Sequence, residues 1–292
     1  MFEDPRTRGP RPPFPAPRVE AGGRGYLDPE PDHGEGSYTG RRRLEGCGAI
    51  VVGGDSGIGR AVAIAFAREG ADVLIAFQTE EAGAAETAQW VGKAGRRAVL
   101  VGGELDSEWR QRKLVEQALE EFGHLEVLVN DAVAGWTQEP QHEASALAVE
   151  ESFRKRTEAV FGISRIAASR MKPGASIITT TAVHSSHLPS QQRAYAAFQG
   201  GVASLTASLA LELAGKGIRV NAVQPGPVWT PRLVGALTGE QRRDFGAETM
   251  LGRPGQPVEF APAYVFLASP EASFVTGSVL YVTGGRFDRP EQ

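Results

Sequence analysis

Between residues 47 and 285 the chain alternates short, almost wholly apolar runs with longer stretches whose apolar residues recur every three or four places. The short runs lie at 47–54, 71–77, 97–102, 125–131, 176–181, 218–223 and 278–285, and most are rich in Val and Ile. Runs that are apolar on both faces suit the strands of a parallel sheet covered on each side. The stretches between them, such as "IGRAVAIAFAREGA", "WRQRKLVEQALEEFG" and "VEFAPAYVFLAS", carry the helical period, as do 145–171 and 190–214. Strand and helix in regular alternation predict an α/β fold: a doubly wound parallel sheet of seven strands with helices on both faces and right-handed crossovers.

The pattern stops short of the N-terminus. Residues 1–46 hold eight of the 19 prolines and eight of the 36 glycines and show no apolar period. Such a segment cannot bury enough apolar surface on its own to offset the entropy of ordering. It is therefore expected to be flexible or to lie extended on another surface. The organisation predicted is a Pro/Gly-rich extension at 1–46 and a single domain at 47–292. Arginines cluster at 41–43, but the eight arginines of the extension are balanced by eight acidic residues. With a net charge of −4 for the whole chain, nothing points to nucleic acid or an anionic membrane surface. One cysteine, Cys47, excludes an internal disulfide, and no signal-like or membrane-length apolar stretch is present. The expectation is a cytoplasmic protein with no membrane partner.

Candidate chemistry begins directly after the first strand, at "VVGGDSGIGRA". Gly53, Gly57 and Gly59 would let the backbone turn tightly and approach a pyrophosphate at the N-terminus of the next helix. The intervening Asp55, Ser56 and Ile58 complete the loop. The spacing G-x-x-x-G-x-G resembles that of the short-chain dehydrogenase/reductase family. The resemblance continues through "VNDAVAG" after strand four, "IRVNAVQPGPVWTP" around strand six and "ASFVTGSVLYVTGG" at the last strand. It covers residues 44–285. "PDHGEGSYTGRRRLEG" and "LGRPGQPVEFAPAYVFLAS" resemble a narrower subgroup, the N-terminally extended glucose/ribitol dehydrogenase-like and general-stress enzymes of bacteria and plants.

That resemblance implies a Rossmann-type fold, a nicotinamide cofactor NAD(P)(H), a small-molecule substrate and a homo-oligomer, tetramer or dimer. The implied cofactor contacts are the glycine loop, Glu104, Asn130, Ala132, Pro225, Gly226, Val228 and Thr230, the last toward the nicotinamide amide. Strand two ends in Phe77-Gln78-Thr79. It offers neither the carboxylate that would favour NAD nor an arginine for the 2′-phosphate of NADP, so NAD and NADP both stay open.

Family members use a serine, a tyrosine, a lysine and an asparagine. The tyrosine position is Tyr195, in "AYAAFQGG". The serine position, thirteen residues earlier, is Ala182; the lysine position is Gln199; the asparagine position is Arg156. Asp131 replaces the second asparagine of the family's Asn-Asn-Ala-Gly, and Val133 its glycine. The Arg156 guanidinium, oriented by Asp131, is a candidate to replace the lysine charge; the alternative is that it turns outward or merely pairs with Glu158 or Asp131. His184 and His187 near the substrate entrance are candidate acid–base groups. Two histidines without a carboxylate or cysteine partner do not make a metal site.

Three functions fit these residues. One is an oxidoreductase with weak or altered turnover. A second is a pseudoenzyme that binds cofactor or a partner subunit. The third is a non-redox enzyme for dehydration, isomerisation or cyclisation.

Overall fold

A computed structural model describes residues 4–16, 18–19, 25–131, 146–181, 193–231 and 237–285. Two short antiparallel strands, β1 (Arg18–Val19) and β2 (Gly25–Tyr26), pair within the N-terminal segment. The alternation then runs β3 (Gly48–Val52), α1 (Gly57–Arg68), β4 (Asp72–Phe77), α2 (Glu81–Lys93), β5 (Ala98–Gly102), α3 (Glu108–Phe122) and β6 (Val127–Asn130). It continues through α4 (Ala146–Ala168), β7 (Ser176–Thr180), α5 (Arg193–Ala214), β8 (Arg219–Pro225), α6 (Pro257–Ala268) and β9 (Val279–Val282).

Strands β3 to β9 form one parallel sheet of order β5-β4-β3-β6-β7-β8-β9. Each apolar run became a strand, trimmed by a residue or two at most ends. The exception is β8, which extends to Pro225 because β9 pairs with it there. Within the described residues the helices expected at 145–171 and 190–214 are Ala146–Ala168, which ends three residues early, and Arg193–Ala214.

Residues of β3 alternate between two apolar layers. Ile50 and Val52 pack with residues of α3, α4 and α5 on one face, whereas Ala49 and Val51 pack with α1 and α6 on the other. Burial of one such aliphatic side chain is worth about 1.5–3 kcal/mol. This is why the central strands need no polar side. α1 is apolar around most of its circumference because it lies between the sheet and α6, and nine of its twelve residues are buried.

The described part of the extension lies on the domain itself. Tyr38 and Leu44 join the α1/α6 layer. Phe14 and Leu27 form a second cluster with Trp229. Glu69 closes the junction: its buried carboxylate accepts from the Tyr38 hydroxyl at 2.6 Å and from the amides of Arg41 and Arg43 at 2.7 and 3.0 Å. It also forms an ion pair with Arg43 at 2.6 Å.

Candidate active site

The sheet order reverses at β3, whose neighbours are β4 and β6, and crevices at such switch points hold ligands at the carboxyl ends of the strands. The chain leaves β3 there through the glycine loop. Gly57 sits at φ 54°, a conformation that side chains with a Cβ resist. Gly59 is needed for a different reason: a Cβ on it would lie 2.1 Å from the Gly53 carbonyl oxygen. The first turn of α1 is thus pressed onto the loop. The Ser56 hydroxyl, at the N-cap, turns to Asp55 at 3.1 Å rather than back onto the helix, and the first turn carries no acidic residue. The positive end of the helix dipole therefore faces the crevice, as an incoming phosphate requires.

One carboxylate does reach this helix start, from the neighbouring strand. Asp131 follows β6, is 7% exposed, and accepts from the Gly59 N–H at 2.9 Å with Oδ2. Its Oδ1 accepts from the Thr180 hydroxyl at 2.6 Å, and that hydroxyl meets the Tyr264 hydroxyl at 2.7 Å. The single Thr180 proton goes to the carboxylate, so Tyr264 donates to Thr180. Four elements, α1, β6, β7 and α6, are joined by this chain of bonds. Burial first, and the Asp131 charge second, push the Tyr264 hydroxyl well above the ordinary tyrosine pKa.

Sequence reasoning placed Asp131 beside Arg156 as its orienting partner and did not find Thr180 or Tyr264. The available signals were a threonine in an apolar run and a tyrosine in an apolar helix, since a buried hydroxyl must find a partner. Asn130, expected on the cofactor, is also buried, and its amide donates to Ser164 of α4 at 3.1 Å.

Two further loops border the crevice. At the tips of β4 and β5, Gln78 donates to Glu104 at 3.3 Å on the surface. Beside them a cleft of about 310 Å³ is lined by Ala76, Gly103, Glu104, Trp109, Arg110 and Lys113. On the opposite side, the Gly226 N–H after β8 donates to the Val282 carbonyl at 2.8 Å, and Val228 is buried and bridged to Gly255. Two residues on, the Thr230 methyl lies 3.3 Å from where a Cβ on Gly57 would sit. The Pro225–Thr230 loop and the glycine loop therefore lie so close that a side chain at position 57 would crowd Thr230. These residues fit a dinucleotide along the carboxyl edge of the sheet.

The tetrad positions are described by their helices alone. Position 156 lies on α4 and positions 195 and 199 on α5. Both helices connect parallel strands, so they run in the same direction, and they pack through Val160 and Val202. Position 156 is one turn before Val160 and position 199 is one turn before Val202. Positions 156 and 199 thus stand at the same level of adjacent helices, with 195 a turn before 199 on α5. The side chains of Arg156, Tyr195 and Gln199, together with Ala132, Val133, Ala182, His184 and His187, lie outside the described residues. Glu158 pairs with Arg154, at 3.0 Å. Among the described residues no His, Cys, Asp and Glu side chains group as metal ligands, and no helix is long and apolar enough to cross a membrane.

This fold, with its glycine loop at the switch point and a Pro-Gly turn against it, defines a dinucleotide-binding oxidoreductase scaffold, and the chain belongs to the short-chain dehydrogenase/reductase family. Residues 52–286 match the family model described as enoyl-(acyl carrier protein) reductase. General stress protein 39 of Bacillus subtilis (strain 168) is 38% identical over 261 residues, 89% of this chain and 91% of its own length. The glucose and ribitol dehydrogenase of Daucus carota is 37% identical over 265 residues, 89% and 91% of the two chains. Among solved structures, a short-chain dehydrogenase of Burkholderia cenocepacia J2315 in complex with NADP superimposes with a TM-score of 0.73 at 28% identity, covering 83% of this chain and 98% of that one. A 7α-hydroxysteroid dehydrogenase complexed with NADH and 7-oxo glycochenodeoxycholic acid gives 0.77 at 28% identity, covering 86% and 98%.

Proposed function

We propose that the chain binds NAD(P)(H) across the switch point and acts as a slow, altered carbonyl reductase or alcohol dehydrogenase on a small molecule. The observation that carries this reading is the close approach of Thr230 to Gly57, which brings the two loops together as one cradle. Gly53, Asp55, Ser56, Gly57, Ile58 and Gly59 would hold the pyrophosphate. Glu104, Asn130 and Ala132 would border the adenosine half, and Pro225, Gly226, Val228 and Thr230 the nicotinamide half. The bound nicotinamide supplies or accepts the hydride. NADP in the Burkholderia cenocepacia relative and NADH in the hydroxysteroid dehydrogenase support the cofactor class.

Tyr195 is the proton donor in this reading. A free tyrosine has a pKa near 10, so only about one in a thousand is ionised at pH 7. Without a lysine at position 199 the residue is a poor base for alcohol oxidation. As a neutral acid it can still protonate a carbonyl oxygen, which favours reduction. With Ala182 in place of the serine, one hydrogen bond to the developing charge is missing, a loss of about 3 kcal/mol or 10²-fold in rate. Titration with NADH and NADPH, followed by turnover on an aldehyde and ketone panel with and without Tyr195→Phe, tests the proposal. Turnover that survives Tyr195→Phe unchanged overturns the catalytic part.

A second reading keeps the cofactor and drops the chemistry. Ala182, Gln199 and Arg156 together favour a pseudoenzyme that binds dinucleotide or a partner subunit. It requires tight binding and no turnover on the same panel. In both readings residues 1–46 are an arm of the 47–292 domain, the protein works in the cytoplasm, and it forms a homo-oligomer. Support for the oligomer comes from Phe274 and Tyr281, large exposed apolar groups at the β9 end of the sheet. Light scattering on the full chain checks it.

A further inference from the structure

The N-terminal segment and the nucleotide cradle meet at Trp229. Its ring is 1% exposed and stacks on Phe14 with centroids 4.0 Å apart. Its indole N–H donates to the Pro29 carbonyl at 2.7 Å, and Phe245 lies against it at 6.2 Å. The arm is tied to the same region at further points. The Phe14 N–H donates to the Arg243 carbonyl at 2.8 Å, and the Val258 N–H to the Asp32 carbonyl at 2.9 Å. The buried Arg253 guanidinium donates to the Pro5 carbonyl at 2.7 and 3.0 Å while pairing with Glu259 at 2.7 Å. On the other side, the backbone N–H of Trp229 donates to the Gly255 carbonyl at 2.9 Å, and the next residue is Thr230, whose methyl lies 3.3 Å from where a Cβ on Gly57 would sit. One peptide unit separates the aromatic stack of the arm from the glycine loop.

We propose that the arm is a positioning element of the dinucleotide site: Phe14 and Pro29 hold Trp229, and Trp229 sets Thr230 against Gly57. Arm docking and dinucleotide binding are therefore coupled, and the coupling acts equally in both directions. This rests on the reading of the cradle as an NAD(P)(H) site.

The test uses the full chain. Dissociation constants for NADH and NADPH are measured for the unaltered protein, Phe14→Ala, Phe14→Leu and Tyr38→Phe, together with melting temperatures. Amide exchange over residues 4–16 is followed with and without saturating dinucleotide. Phe14→Ala is expected to weaken binding about tenfold, Phe14→Leu less. Tyr38→Phe, which loosens the arm at Glu69 on its other side, is expected to lower the melting temperature with binding unchanged. Dinucleotide is expected to slow exchange over residues 4–16. Unchanged binding by a folded Phe14→Ala, or equal weakening by Tyr38→Phe, overturns the inference alone. If Phe14→Ala does not fold, exchange in the unaltered chain decides: no slowing over residues 4–16 overturns the coupling. Failure of the unaltered protein to bind either dinucleotide overturns the cofactor reading, and the coupling with it.

Discussion

The Gly59 N–H donates to Asp131 at 2.9 Å, which sets a buried carboxylate against the first turn of the helix that opens the crevice. A negative charge there stabilises the helix, and it also offsets part of the positive dipole end that a phosphate would meet. The two effects separate by substitution. Asp131→Ala leaves the Gly59 amide and the Thr180 hydroxyl without their acceptor and is expected to cost about 2–4 kcal/mol in urea denaturation. Asp131→Asn keeps one acceptor oxygen but turns an NH₂ toward the second donor, so about 1–2 kcal/mol is expected. Because it removes the charge, Asp131→Asn should bind dinucleotide about two- to fivefold more tightly. Weaker binding by the asparagine variant would show that the carboxylate does not oppose the phosphate.

Tyr264 makes the chain sensitive to alkali. Its folded pKa lies above the unfolded value near 10, so above that pH the unfolded chain loses the proton while the folded one keeps it. Stability is then fully present below pH 10 and falls as pH rises. Tyr38, raised by burial and by the neighbouring Glu69 carboxylate, acts in the same direction. Tyr264→Phe should cost about 1 kcal/mol at neutral pH, through the lost bond to Thr180. Its stability should then decline less steeply than that of the unaltered protein between about pH 10 and 11.5. Parallel slopes would mean that Tyr264 ionises freely in the folded chain.

Glu69 has the opposite sign. Burial alone would raise its pKa, but hydrogen bonds from Arg43 and Tyr38 and from two backbone amides hold it down to about 2. Its contribution is present above the unfolded value near 4.3 and is lost as pH falls toward about 2. Glu69→Gln should therefore be less stable at pH 7 and decline less between pH 4.5 and 2, as followed by circular dichroism. It should also release the junction of the arm, seen as faster amide exchange at Arg41 and Arg43.

The parts of this fold that were legible in the sequence are those set by local period. Seven apolar runs became seven parallel strands because a strand buried on both faces admits few polar residues. The glycine loop was legible because Gly57 and Gly59 answer backbone constraints within a few residues of themselves. Relationships set by distant chain were not legible. Phe14 lies in a proline-rich run with no period, and its partner Trp229 is more than two hundred residues away. Asp131 read as a lapsed motif residue, because the donors from α1 and β7 that it meets are not near it in sequence. Motif spacing assigned positions 156, 195 and 199 of the proposed tetrad to stretches that form α4 and α5, but spacing along a chain says nothing of where Arg156 points.

Dinucleotide preference should turn on Glu104. Its carboxylate stands at the tip of β5 with Gln78 at the tip of β4 donating to it, and no arginine is present at positions 77–79. The Glu104 carboxylate would oppose a 2′-phosphate brought to this edge by about 1 kcal/mol at the surface, against the attraction of Arg110 and Lys113 in the same cleft. Glu104→Gln is expected to shift the ratio of NADPH to NADH affinity about fivefold toward NADPH, with NADH binding altered little. Equal changes for both dinucleotides would place the 2′ position elsewhere.

On the proposed reading, placing serine, lysine and asparagine at positions 182, 199 and 156 tests whether slow turnover originates there. Ala182→Ser returns a donor to the reacting oxygen and is expected to raise carbonyl reduction about 10²-fold. Gln199→Lys places a cation one helical turn from Tyr195, which lowers the tyrosine pKa toward neutrality and should move the pH optimum of alcohol oxidation downward. Position 156 stands level with 199 on the neighbouring helix. An arginine left there would repel the new lysine, so the double variant should gain further when Arg156→Asn is added. Dinucleotide affinity separates the outcomes. A triple variant that binds NADH as the unaltered chain does, yet reduces no carbonyl, would show that the substrate side of the pocket has diverged beyond the tetrad.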